Sequence, residues 1–180
     1  SPQSSSTCHP ESSVREALHL IKASLPSTIQ LSLTSEPDLP AVQVDENQIH
    51  QIALNLVTNA WHAFDRKAGS ISIHLRKQVP SPQHLNRCDT LKETPYVLME
   101  VKDNASGIPH EIRSRIFQPF FSTKIRSKGS GMGLFVVKTL LDAARGAVVV
   151  DSEPGLGSTF SVYLPLDKPS RPKKSPRSTQ

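Results

Sequence analysis

The chain has 180 residues, 36% hydrophobic and 21% charged, which suits one domain with a sizeable core and polar ends. Its net charge of +5 sits partly in the Pro- and Ser-rich stretch Lys168 to Arg177, and the lack of aromatic residues among those basic ones argues against nucleic-acid binding. Apolar runs fall well short of the roughly 20 residues of a spanning helix, and Cys8 and Cys88 lack metal-ligand or disulfide spacing, so the chain reads as cytoplasmic, without membrane contact, with two reduced thiols.

Residues 1–13 are Ser- and Pro-rich and are expected to be a disordered linker, leaving 14–166 as the working domain and 167–180 as a basic tail. Val14, Ala17, Leu18, Ile21 and Leu25 recur at helical spacing, and Ile29 to Leu33 alternates as a strand before Pro37 and Pro40 interrupt it. A long helix follows. Asp45 with Gln48 three residues on forms a capping-box pattern, and Ile49, Ile52, Ala53, Leu56, Val57, Ala60 and Phe64 supply its buried face. Gly69 marks its end, and Ile71–Leu75 and Tyr96–Val101 read as strands separated by a polar, Pro-containing loop at about 78–95. A glycine-rich run opens into a helix over Phe135–Ala144, after which Ala147–Val150 and Thr159–Leu164 form a hairpin through the turn Ser152–Gly157. Helices interspersed with hairpins imply an α+β two-layer sandwich.

Two patterns carry chemistry. Gly129-Ser-Gly131-Met-Gly133-Leu134 leads into a helix, where alternate glycines let backbone N–H groups approach an anion and the helix N-terminus adds positive potential, although loops and caps also use glycine. Asn55, Asn59 and His62 form one polar stripe along the long helix. Asn is a poor helix former, so two in register suggest a task, and an amide oxygen can complete a magnesium shell beside phosphate oxygens; a solvated face is the plain alternative.

Four motifs in order resemble the N, G1, F and G2 boxes of sensor histidine kinases: Asp45-x-x-Gln48 through Asn55-Leu-Val-Thr-Asn59-Ala60, Asp103-Asn-Ala-Ser-Gly107-Ile-Pro109, Ile116-Phe-Gln-Pro-Phe-Phe-Ser-Thr-Lys124, and Gly129-Ser-Gly-Met-Gly133-Leu134. Gly157-Ser-Thr-Phe-Ser-Val-Tyr-Leu-Pro165 is similar to their closing strand. The resemblance implies the Bergerat sandwich, a mixed, mostly antiparallel sheet covered by helices on one face, with ATP under a mobile lid over Ser122–Ser130. It also implies roles. Asp103 would accept from the adenine amino group, Gly107 would let the chain pass close to the base, and Asn59 would ligate Mg2+ with Asn55 in support. Gly129, Gly131 and Gly133 would cradle phosphates neutralised by Lys124, Arg126 and Lys128, with His62, Ile108, Ser130, Met132, Leu134 and Thr159 completing the nucleotide-contacting set. Asn55, Asn59 and Lys124 would be the catalytic residues.

The function implied is transfer of the γ-phosphoryl group of Mg-ATP to a histidine on a separate dimerisation and acceptor domain, and from there to a response regulator. A degenerate docking module and a gyrase-like ATPase are the alternatives; the second would require a carboxylate where Asn55 stands. None of the seven histidines lies in the His-Glu-x-x-x-Pro setting of an acceptor helix, so the acceptor is expected outside this chain. Ala105 occupies a G1 glycine position, costing on the order of 1 kcal/mol if positive φ is needed there. His62 replaces a basic residue found in many relatives and carries full charge only below about pH 6.5. Phe117, Phe120 and Phe121 fit either core packing or a docking patch.

Overall fold

The structure is a computed structural model and describes residues 7–122 and 131–167. The elements run α1 (Pro10–Lys22), β1 (Ile29–Ser35), α2 (Glu46–Ala63), β2 (Gly69–Gln78), α3 (Pro82–Arg87), β3 (Tyr96–Asp103), a 3₁₀ turn (His110–Arg115), α4 (Gly133–Ala143), β4 (Ala147–Glu153) and β5 (Gly157–Pro165). One five-stranded sheet has the order β1-β2-β3-β5-β4. Only the β1–β2 pair is parallel, because α2 carries the chain back across the sheet between them; the other neighbours are antiparallel. The expected mixed, mostly antiparallel α+β sandwich is the fold observed.

Strand alternation divides the core into two layers. Ile71, Ile73, Leu75, Val97, Met99, Val101, Phe160 and Val162 share one continuous core with the apolar faces of α1, α2 and α4. At α2 the capping box is complete: the Asp45 carboxylate accepts from the Asn47 amide at 2.8 Å, and Gln48 Oε1 accepts from the Asp45 amide at 3.3 Å. Tyr96, Leu98, Ala147, Val149 and Tyr163 form a separate cluster on the outer face with Leu91.

Two boundaries differ from the sequence reading. The expected linker over 1–13 gives way to structure from Cys8, which bridges Val42; α1 starts at Pro10, and Ser13 is fully buried. Proline suits a first helical turn, and packing against α2 does the rest, which a composition-based reading of the Ser-rich start cannot detect. The loop expected at 78–95 contains α3, opened by Ser81, whose hydroxyl accepts from the His84 amide at 3.2 Å. Six residues are too few for a helical period. Leu85 and Cys88 pack on the outer cluster, so the insertion covers part of the face opposite the three longer helices. Among the described residues no helix is long and apolar enough to cross a membrane.

Candidate functional site

Asp103 ends β3 on the inner face, in register with Ile71 on one side and Ser158 on the other. It is 4% exposed, and its Oδ1 accepts from the Ala105 amide at 3.0 Å. Burial pushes its carboxyl above the usual aspartate range, against the pull of the Ala105 and Ser158 backbone amides. Such a carboxylate retains acceptor capacity in a partly apolar setting and has no ion-pair partner among the described residues.

The turn after Asp103 is held from three sides. Asn104 Oδ1 accepts from the Ser70 amide at 2.8 Å, the Ser106 hydroxyl donates to the Ala63 carbonyl at 3.2 Å, and the Gly155 amide donates to the Ser106 carbonyl at 2.7 Å. Gly107 has φ +70°, and a Cβ there would lie 2.1 Å from the Glu153 carbonyl oxygen. The close approach that demands glycine is therefore to the β4–β5 hairpin. Gly157 matches it from the other side: φ is +112°, and a Cβ would meet the Asp103 carbonyl at 2.0 Å. Ala105 keeps an ordinary negative φ, so the alanine in place of a motif glycine carries no backbone penalty.

Along α2 the polar stripe connects this turn to α4. Ser106 touches the C-terminal end of α2 at Ala63, while Asn55, about 12 Å away at the helical rise, donates to the Gly133 carbonyl at 3.2 Å and accepts from Gln51 Nε2 at 2.9 Å. Asn55 is thus committed to docking the start of α4 on α2. The Asn59 side chain, half-buried between them, has no hydrogen-bond partner among the described residues. His62 is half-buried with its ring 5.6 Å from Trp61. The first turn of α4 carries no acidic residue and has no side-chain cap, so its N–H groups present positive potential beside the stripe.

Asn55, Asn59 and His62 thus lie along α2, Gly107 and Ile108 follow Asp103, and Met132, Gly133 and Leu134 open α4; Ser106 bonds the Asp103 turn to the end of α2, and Asn55 bonds α2 to the α4 start. Gly131 packs against the backbone of Phe120. Lys124, Arg126, Lys128, Gly129 and Ser130, with all of the expected Ser122–Ser130 lid except Ser122, lie outside the described residues.

Thr159 does not join this set. It pairs with Lys102 and Asp151, and these three share the outer face, whereas Asp103, Ser158 and Ser152 share the inner one. A strand has a period of two, so a one-residue error in phase exchanges the faces. Ser158, 7% exposed, is the hydroxyl in register with Asp103; Gly157-Ser-Thr offers two adjacent hydroxyls whose faces only the strand pairing separates. A groove of about 710 Å³ opens at this end of the sheet, lined by Asp103, Arg113, Ser152 and Ser158 together with Lys102 and Asp151, and of the expected residues it takes in only Asp103 and Thr159. The phenylalanines divide: Phe117 packs edge-on to Phe160, Phe121 lies under the Arg115 guanidinium at 4.8 Å, and Phe120 is 76% exposed.

The family model described as histidine kinase-, DNA gyrase B-, and HSP90-like ATPase matches residues 44–168. Sensor kinase CckA of Brucella abortus (strain 2308) is 36% identical over 137 residues, 76% of this chain and 14% of that protein. Sensory histidine kinase/phosphatase NtrB of Klebsiella oxytoca is 32% identical over 168 residues, covering 89% of this chain and 46% of its own length. The chain thus spans less than half the length of these relatives. A solved structure, mycobacterial sensor histidine kinase MprB, has the same fold, with a TM-score of 0.70 over 89% of this chain and 97% of that one at 22% identity.

Proposed function

The chain belongs to the family of histidine kinase-, DNA gyrase B- and HSP90-like ATPases, and from that premise we propose that it is the ATP-binding catalytic domain of a two-component sensor histidine kinase. It acts on the cytoplasmic side, delivering the γ-phosphoryl group of Mg-ATP to a histidine on a dimerisation domain, from which a response regulator is served. The observation that carries this reading is the buried Asp103, without an ion-pair partner among the described residues, whose turn is joined through α2 to the uncapped start of α4. One end suits a base with an amino donor and the other suits phosphates.

The donor set fits the metal expected. Among the described residues no group of three or more His, Cys, Asp or Glu could hold a cation, so a magnesium ion would arrive with the phosphates and take one neutral oxygen from Asn59. When bound it supplies charge neutralisation at the transferring group. Asn55 fixes the α4 start against α2, while Lys124, Arg126 and Lys128 offer cations and Gly129 and Ser130 offer amides to the phosphates. In the transfer a P–N bond to the acceptor imidazole forms as the β,γ-bridging P–O bond breaks, ADP leaves, and the imidazole proton passes to a base beside the acceptor. No carboxylate stands at Asn55 to activate water, so hydrolysis is not the favoured outcome.

The test is labelled ATP with the chain alone, with a cognate acceptor domain alone, and with both. The expected result is binding with very slow hydrolysis by the chain and acid-labile, base-stable phosphohistidine on the acceptor only in the mixture. Rapid turnover by the chain alone would replace this reading with a gyrase-like ATPase, and binding without transfer to an acceptor of proven competence would replace it with a docking module.

A further inference from the structure

We propose that Ser152 and Arg113 are positioning residues for base selection, clamping the Asp103–Gly107 turn to the β4–β5 hairpin so that the Asp103 carboxylate meets a 6-amino purine and disfavours a 6-oxo purine. The inference rests on the nucleotide reading above.

Ser152 is 6% exposed, and its hydroxyl has three neighbours: the Ile108 amide at 2.7 Å, the Gly157 carbonyl at 3.0 Å and the Ser158 hydroxyl at 2.9 Å. A hydroxyl has one proton and two lone pairs. The amide can only donate and the carbonyl only accept, so Ser152 donates to Gly157 and receives from Ile108 and Ser158. Every valence is then used. The three neighbours belong to three pieces of the site: the end of the Asp103 turn, the first residue of β5 that contacts the Asp103 carbonyl, and the residue in register with Asp103.

Arg113, on the 3₁₀ turn, grips the same pair independently. Its Nε donates to the Ile108 carbonyl at 3.3 Å, and its terminal nitrogen donates to the Ser152 carbonyl. Ile108 and Ser152 are thus joined twice, once through a side-chain hydroxyl and once through a guanidinium fork. Gly107 already lies against Glu153, so the turn cannot close further on the hairpin; it can only open. Opening carries the Ala105 amide away and with it the group that orients Oδ1 of Asp103. Discrimination between an amino donor and an oxo acceptor depends on that orientation, because the wrong base leaves a buried acceptor facing another acceptor.

The experiment measures ATP and inosine triphosphate affinities, with and without magnesium, for the wild-type chain, Ser152→Ala and Arg113→Met, alongside thermal melts. The wild type is expected to favour ATP. Each variant is expected to lose about tenfold in ATP affinity and little in inosine triphosphate affinity, so the preference falls by about tenfold while the magnesium dependence persists. A merely structural role would lower the melting temperature and weaken both nucleotides alike; a preference unchanged within about twofold in folded variants overturns the proposal. Should Ser152→Ala not fold, Arg113→Met decides alone, since that side chain is 21% exposed and its loss strands no buried charge. A wild type that binds ATP but does not distinguish the two nucleotides refutes base reading by Asp103, and one that binds neither refutes the nucleotide site itself.

Discussion

Asp103 and Asp151 lie on opposite faces of one sheet, on strands separated only by β5, and their surroundings treat the same carboxyl group in opposite ways. On the outer face Asp151 accepts from His84 at 2.9 Å and from Arg87, both on the α3 insertion, while His84 also bonds the Tyr163 hydroxyl at 2.7 Å. Burial alone would raise the Asp151 carboxyl, but these bonds outweigh it and hold it below the ordinary aspartate range. On the inner face nothing cationic among the described residues answers Asp103, and burial prevails. A paired carboxylate adds to stability; a desolvated, unpaired one subtracts from it and is expected where a ligand supplies the missing partner. The outer aspartate closes a structural insertion, and the inner one has no ion-pair partner among the described residues.

The largest effect that could break this contrast is on binding. Asp103→Asn should weaken ATP by about 10- to 150-fold, the loss of a charge-assisted bond, while the unliganded fold is no less stable, because Asn can still accept from the Ala105 amide. Nucleotide titration with urea denaturation of the same samples checks both halves, and a large loss of stability in the variant would mean Asp103 is structural.

The pH dependence sharpens the same point. With its folded pKa raised, Asp103 contributes stability below its unfolded value near about 3.9 that is lost as pH rises through the folded pKa; Asp151, depressed, contributes stability above about 3.9 that is lost as pH falls through its folded pKa. From about pH 3 to about pH 7, the advantage of Asp103→Asn over wild type and the deficit of Asp151→Asn should therefore both grow. Denaturant midpoints across that range test the signs. At neutral pH the Asp151→Asn deficit should be only about 0.5–1 kcal/mol, since its side chain is 43% exposed and screened, and ATP affinity should not change.

The smallest expected effect separates the two faces residue by residue. Thr159→Val should leave ATP affinity within about twofold, whereas Ser158→Ala, one position away, should weaken it several-fold. Equal effects in a titration of the two variants would mean that the strand phase does not govern access to the site.

Much of this molecule is written in local pattern. The capping box at Asp45 and Gln48, the apolar period of α2 and the alternation in β2 are set by neighbours within one turn or one strand, so they can be read without the fold. The polar stripe Asn55–Asn59–His62 and the glycines before α4 are legible for the same reason. Whatever depends on a partner distant in the chain is not. That Ser158 and not Thr159 stands beside Asp103, that Gly107 is required by Glu153, and that Ser152 and Arg113 hold the turn all follow from contacts between segments some forty residues or more apart. The α3 insertion reads as a loop because six residues are too few to show a period, and it becomes a helix through its seat on Tyr163 and Asp151. Sequence alone determined the three longer helices, the strands and their order; tertiary structure decided α3 and which carboxylate is paired, because burial and pairing are properties of the assembled sheet and not of any stretch of chain.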